Sequence, residues 1–158
     1  MKPLTELDQL AIYDLCTVLR AENARMSFTD IGKIEDLEAW FNDSNIYLYG
    51  LFDTQGKLTA MVKATRGTNN KSHSAYLAAA VHPRNRKQNL ASELTLSVLE
   101  ELKNKGLLIA RTYIYSWNTA SIATIEKCGF ILSGRVMMHE YDEISGTYID
   151  DLIYYKYL

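Results

Sequence analysis

Residues 82–96, HPRNRKQNLASELTL, place Arg84, Arg86 and Lys87 immediately before an amphipathic pattern of helical period. That arrangement can hold phosphate. A helix N-terminus offers unpaired N–H groups and the positive end of the helix dipole, and the cations add full charge. Loops of this kind carry glycines so that the backbone can curl around the anion. Here Lys87 and Asn89 stand where glycine is expected. Taken alone, the stretch reads more simply as a solvated basic turn. A second stretch, residues 118–130 (NTASIATIEKCGF), reads as a short helix entered from an Asn or Thr cap and stopped at Gly129.

The elements around these stretches decide whether they can meet. Ala11, Ile12, Leu15, Cys16, Val18 and Leu19 predict a one-sided helix over 8–21, and Ile34, Leu37, Trp40 and Phe41 a shorter one. The polar segment between them predicts an exposed loop. Residues 45–52 and 57–65, the second with Leu58, Ala60, Val62 and Ala64 in alternation, then read as a hairpin turning at DTQG. Residues 75–81, AYLAAAV, are continuously apolar, as expected of a strand covered on both faces. Leu90, Leu94, Val98, Leu99 and Leu102 form a helical stripe ending at Gly106, followed by a strand over 107–115. Two long strands, 130–141 and 147–157, close the chain around the turn EISG. The strand–helix–strand unit from 75 to 115 requires a parallel pair, so the class is mixed α/β in a single domain, 1–158. Both candidate stretches then follow the carboxyl ends of neighbouring parallel strands, where ligands of such sheets collect.

Composition narrows the function. With 17 basic and 19 acidic side chains the net charge is −2, so no global field draws nucleic acid or an anionic membrane. No apolar run approaches the roughly 20 residues of a membrane span. The N-terminus lacks the pattern of a secretory leader. Two cysteines, Cys16 and Cys128, suggest no disulfide framework and predict buried thiols in a cytoplasmic protein. His73, His82 and His139 have no metal-ligand spacing, which predicts no metal and leaves them as surface or strand-end residues.

Taken together, residues 75–158 resemble the GNAT superfamily of N-acetyltransferases, in particular its branch of ribosomal-protein and small-molecule enzymes. The resemblance rests on Val81-His82-Pro83 followed by Arg86-Lys87-Gln88-Asn89-Leu90-Ala91, on Asn118 followed by Glu126-Lys127-Cys128-Gly129-Phe130, and on Tyr148-Ile149-Asp150. It implies a central mixed sheet of about six to seven strands flanked by four helices. It also implies acetyl-CoA as cosubstrate and a primary amine as acceptor. The pyrophosphate falls to Arg86 and the amides of Lys87, Gln88, Asn89, Leu90, Ala91 and Ser92. The pantetheine arm falls to the backbone near Ala79, Ala80 and Val81, with Asn118 and Ser121 opposite. A catalytically silent CoA-binding sensor of the same fold is the alternative.

The implied chemistry is attack of a neutral amine on a thioester. It needs a base, donors for the oxyanion and a proton for the thiolate. The family's usual tyrosine before Glu-Lys is Ile125 here. Tyr115, Ser121 or water are the candidates for the acid, and Glu22, His82 or a water chain for the base. The acceptor walls are expected from residues 22–31 and 141–147. There Glu22, Asp30, Asp142 and Glu143 favour a cationic amine and Arg25 opposes it. The long final strands leave a homodimer open.

Overall fold

Apolar side chains recurring at helical spacing fold as α1 (Gln9–Ala21) in the computed structural model, which describes residues 1–158. The helix buries Ile12, Leu15, Cys16 and Leu19 against one face of a sheet. The next apolar stretch supports less helix than its period suggests. A 3-10 turn, Ile34–Leu37, runs directly into the five-residue α2 (Glu38–Asn42). The segment between the two helices is not the exposed loop expected. Phe28 is wholly buried and meets the Trp40 ring edge-on at 5.8 Å. Isolated apolar residues in a polar segment leave no period by which to foresee this anchor.

Seven strands form one sheet: β1 (Lys2–Pro3), β2 (Ile46–Phe52), β3 (Leu58–Arg66), β4 (Ser74–Val81), β5 (Ile109–Tyr115), β6 (Ile131–Asp142) and β7 (Thr147–Tyr157). Their order is β1-β2-β3-β4-β5-β7-β6, antiparallel except for the parallel β4–β5 pair. This is the expected mixed sheet, with β1 added by two residues too few to carry a pattern. β1 lies beside Gly50, where an added Cβ would stand 2.6 Å from Leu58 and 2.8 Å from Leu4. Any larger residue there would have to displace these two leucine side chains.

Helices α3 (Leu90–Asn104) and α4 (Thr119–Lys127) bring the count to four. They cover the other face, where Val62, Leu77, Val98, Leu102, Ile114 and Phe130 share one core. The α3 stripe ends as its composition requires, at Gly106 with φ +80°. No helix is long and apolar enough to cross a membrane. Beyond β7, the edge strand β6 is exposed along nearly its whole length.

Candidate active site

The parallel strands β4 and β5 pair over three positions only: Ser74 with Ile109, Ala75 with Ala110 and Tyr76 with Arg111. Past that point they separate. β4 continues beside β3 to Val81, and β5 continues beside β7 to Tyr115. The apolar run of β4 is therefore not covered throughout as expected, and Ala78, Ala79 and Val81 are half-buried at the split. The His82 N–H donates to Thr59 on β3, which fixes the alternation along β4. Residues 78 and 80 address β3, so Leu77, Ala79 and Val81 direct their N–H and C=O groups into the split. Ala80 supplies no polar backbone group there, and its side chain is buried on the α1 face.

A loop closes one end of this split. His82 is buried, not a surface residue. Its Nδ1 accepts from the Arg84 N–H at 3.2 Å and caps a 3-10 turn over Pro83–Asn85. Burial, with Lys57 and Arg84 nearby, holds the imidazole below its ordinary pKa and therefore neutral. Lys87 (φ +62°) and Asn89 (φ +63°) both adopt the left-handed backbone expected of glycine. The chain curls as a glycine loop would. The N–H groups of residues 87–92 find no acceptor in the protein, because the first bond of the α3 ladder runs from Glu93 to Asn89. Gln88 is exposed, Leu90 and Ala91 are half-buried, and the buried Ser92 accepts the Cys128 thiol through its carbonyl. Arg86 is committed to Glu22, with its guanidinium forked over that carboxylate. Glu22, a candidate base from the sequence, thus sits against the basic loop.

Asn118 caps α4, its Oδ1 accepting from the Ser121 N–H at 3.1 Å. That bond leaves the amide NH₂ free to donate. The half-buried Ser121 hydroxyl makes no bond within the protein. Ile125 is a core residue, 7% exposed, packed with Cys128 and Phe130. Both thiols are buried, and burial pushes that of Cys16 up to about 11.

Across the sheet, an open cleft of about 660 Å³ lies between the segment after α1 and the β6–β7 end. Its walls include Met26, Asp30, Tyr115, Glu140 and Ile144, close to the walls expected from the sequence. Glu22 and Ser121 do not line it. The Tyr115 hydroxyl donates to Glu140 at 2.5 Å, and its ring stacks on Trp117 at 6.0 Å. Burial and the Glu140 carboxylate raise the Tyr115 pKa well above the phenol range. Arg25 binds Asp142 at 2.6 Å and clasps the two walls together. Glu140 is the site residue the sequence reading missed. It belongs to no motif and reaches Tyr115 only through the pairing of distant strands.

The same architecture occurs in solved structures of N-acetyltransferases. A GNAT-family acetyltransferase from Streptococcus pneumoniae superposes with a TM-score of 0.87 at 19% identity, covering 99% of this chain and 98% of the other. A ribosomal-protein-alanine N-acetyltransferase from Brucella melitensis gives 0.86 at 19% identity, with the same coverage. A spermidine N-acetyltransferase from Vibrio cholerae gives 0.78 at 19% identity, covering 99% and 93%. No curated protein sequence matches the chain. The sequence itself matches the acetyltransferase (GNAT) family over residues 13–130, from α1 through the basic loop to the end of the second motif, and the chain belongs to that family.

Proposed function

We propose that this GNAT acetyltransferase carries the acetyl group of acetyl-CoA to the primary amine of a small molecule or protein N-terminus across the split sheet. The observation that carries the reading is the run of unbonded N–H groups at residues 87–92, set at the end of a strand edge that is itself unpaired. The free amides, the α3 dipole and Lys87 suit a pyrophosphate. Leu77, Ala79 and Val81 suit an extended amide-bearing arm, which they can bind as another strand would. Small side chains at Ala78 and Ala79 leave that edge open. Asn118 donates to the arm from the opposite side while capping α4.

When bound, acetyl-CoA supplies an acyl thioester, and the remaining requirements fall to the chain. An N–H of β4 facing the split donates to the thioester oxygen as negative charge develops there. Tyr115 keeps its proton at neutral pH and stands in the acceptor cleft as the acid for the leaving sulfur. The buried, unpaired cysteines suit the cytoplasm, where we place the reaction.

An acetyl-CoA-coupled screen for thiol release tests this over protein N-terminal peptides, polyamines, amino acids and amino sugars. Asn118→Asp is the control. It preserves a good N-cap but removes the amide donor, so it raises KM for acetyl-CoA without unfolding α4. A protein that binds acetyl-CoA yet releases no thiol with any amine is the silent sensor, and the proposal fails.

A further inference from the structure

We propose that Glu140 is a catalytic residue: it takes the proton that the acceptor nitrogen sheds and passes it through Tyr115 to the departing sulfur. The inference rests on the acetyl-transfer reading above and adds a residue and a proton path to it.

Three observations lead to it. Tyr115 and Glu140 both line the acceptor cleft and are joined at 2.5 Å, so a proton on either carboxylate or phenol can move along one hydrogen bond. Glu140 is also delivered by a distortion of the sheet. Val136 pairs with Asp151 and Glu140 with Ile149, so Met137, Met138 and His139 together oppose the single residue Asp150. Within that bulge Met138 has φ +50°, a left-handed conformation costly for a side chain of its kind, held by its N–H donating to Asp150 Oδ1 at 2.8 Å. Such bulges re-aim side chains beside functional sites. Finally, the family's tyrosine position is the core residue Ile125, so α4 supplies no phenol to this reaction.

The acid–base order explains why the pair is needed. A phenol titrates near 10 and a thiol near 8.5, so Tyr115 alone would protonate sulfur uphill. Its neighbours make that worse while Glu140 is anionic. When Glu140 carries a proton, the transfer runs from a carboxylic acid to a thiolate and is downhill. That proton comes from the acceptor. The neutral amine attacks, the C–N bond forms, and the nitrogen becomes cationic and strongly acidic. Glu140 accepts its proton. The C–S bond breaks with its electron pair leaving on sulfur. Tyr115 gives its proton to sulfur while receiving the one from Glu140. The amine and thioester become an amide and a thiol, with no proton gained or lost.

Other charges surround the pair. Arg25 faces it from the segment after α1 and Asp151 from β7, with His139 beside it on β6 and 3.6 Å from Asp151. Arg20 and Asp30 stand on the far wall of the cleft.

The experiment is a double-mutant cycle with E140Q, Y115F and the pair, using the amine turned over fastest in the screen. Each single variant should lower kcat by roughly 10²–10⁴ and leave acetyl-CoA binding within about twofold. The double variant should be no slower than the slower single one, because the two residues act as a unit. Melting temperatures should stay close to wild type, since Glu140 is exposed. An E140Q enzyme within about threefold of wild-type kcat, or strictly additive losses, overturns the relay while leaving acetyl transfer intact. A wild-type protein that binds acetyl-CoA and acetylates no amine overturns the transfer reading instead.

Discussion

The Lys127 ammonium donates to Asn89 Oδ1 at 2.7 Å, tying the second motif to the loop of the first. Residues 38 apart in sequence thereby brace the turn to which the proposed function assigns the cosubstrate's pyrophosphate. The bond also separates the two left-handed residues. Asn89 has its side chain held and is among the residue types that tolerate this backbone. Lys87 is exposed, has no hydrogen bond or ion pair in the protein, and bears the strain alone.

Lys87→Gly should therefore stabilise the fold. Relief of a left-handed lysine is worth about 1–2 kcal/mol, reduced by the greater freedom of glycine in the unfolded chain. A net gain of about 1 kcal/mol corresponds to a rise of roughly 2–4 °C in Tm for a chain of this size. Asn89→Gly should gain less, because it also breaks the bond to Lys127. In an acetyl-CoA titration, Lys87→Gly should bind more weakly at low salt and with a shallower salt dependence. A melting temperature unchanged or lowered in Lys87→Gly would contradict this account of the loop.

Glu22 neutralises Arg86, and under the proposed function it would compete with pyrophosphate for the same guanidinium. The pair is largely exposed, and pairs of that kind stabilise a fold by about 0.2–1 kcal/mol, so losing it has little effect on Tm. Glu22→Gln should instead free Arg86 and tighten acetyl-CoA binding by roughly two- to tenfold at low ionic strength. The gain should fade as salt screens the site. Isothermal titration at two salt concentrations measures both. A Glu22→Gln variant that loses kcat with unchanged acetyl-CoA affinity would restore Glu22 to the role of base.

The parts of the site written in local chemistry could be read from sequence, and the parts made by strand pairing could not. Asn89 at φ +63° and Asn118 capping α4 follow from what those residue types do at those places. The β4–β5 split was foreseeable only as a place where ligands gather. Its extent depends on where two strands stop pairing, which no period records. His82 looks like any polar residue at a strand end, yet it is buried beside α1 and the β2–β3 hairpin, neighbours far from it in sequence. The Tyr115–Glu140 contact joins residues 25 apart through two ladders and a bulge. A register break has no signature in composition or spacing, so Glu140 stayed hidden.

Ile125 provides a third prediction, in which restoring the family residue fails. A tyrosine there would enter a core already filled by Cys128 and Phe130. Overpacking of this kind costs about 1–3 kcal/mol. Ile125→Tyr should lower Tm and leave kcat no higher than wild type, because the proposed relay already draws its acid from Tyr115. Thermal melts and steady-state kinetics on the same preparation check both halves. A rise in kcat would mean that α4 is the natural source of the acid and that Tyr115 is a wall.

The Arg25–Asp142 clasp gives the fourth prediction, and its sign follows from titration. Asp142 is held far below the usual carboxylate range, first by Arg25 and then by the Ser145 hydroxyl at 2.5 Å, with the Ile144 and Ser145 N–H groups adding to both. In the unfolded chain the same carboxyl titrates near 3.9. A pKa lower in the folded state means that the unfolded chain binds the proton more readily. The contribution to stability is therefore complete above that range and lost as pH falls through it and below. Asp142→Asn should melt below wild type at neutral pH, and the two curves should converge as pH is lowered below about 4. The same variant frees the segment after α1 from the β6–β7 turn, so KM for the amine should rise more than KM for acetyl-CoA. A gap in Tm that stays constant from neutral pH into the acid range would show that the carboxylate charge contributes nothing and that Asp142 serves only to shape its turn.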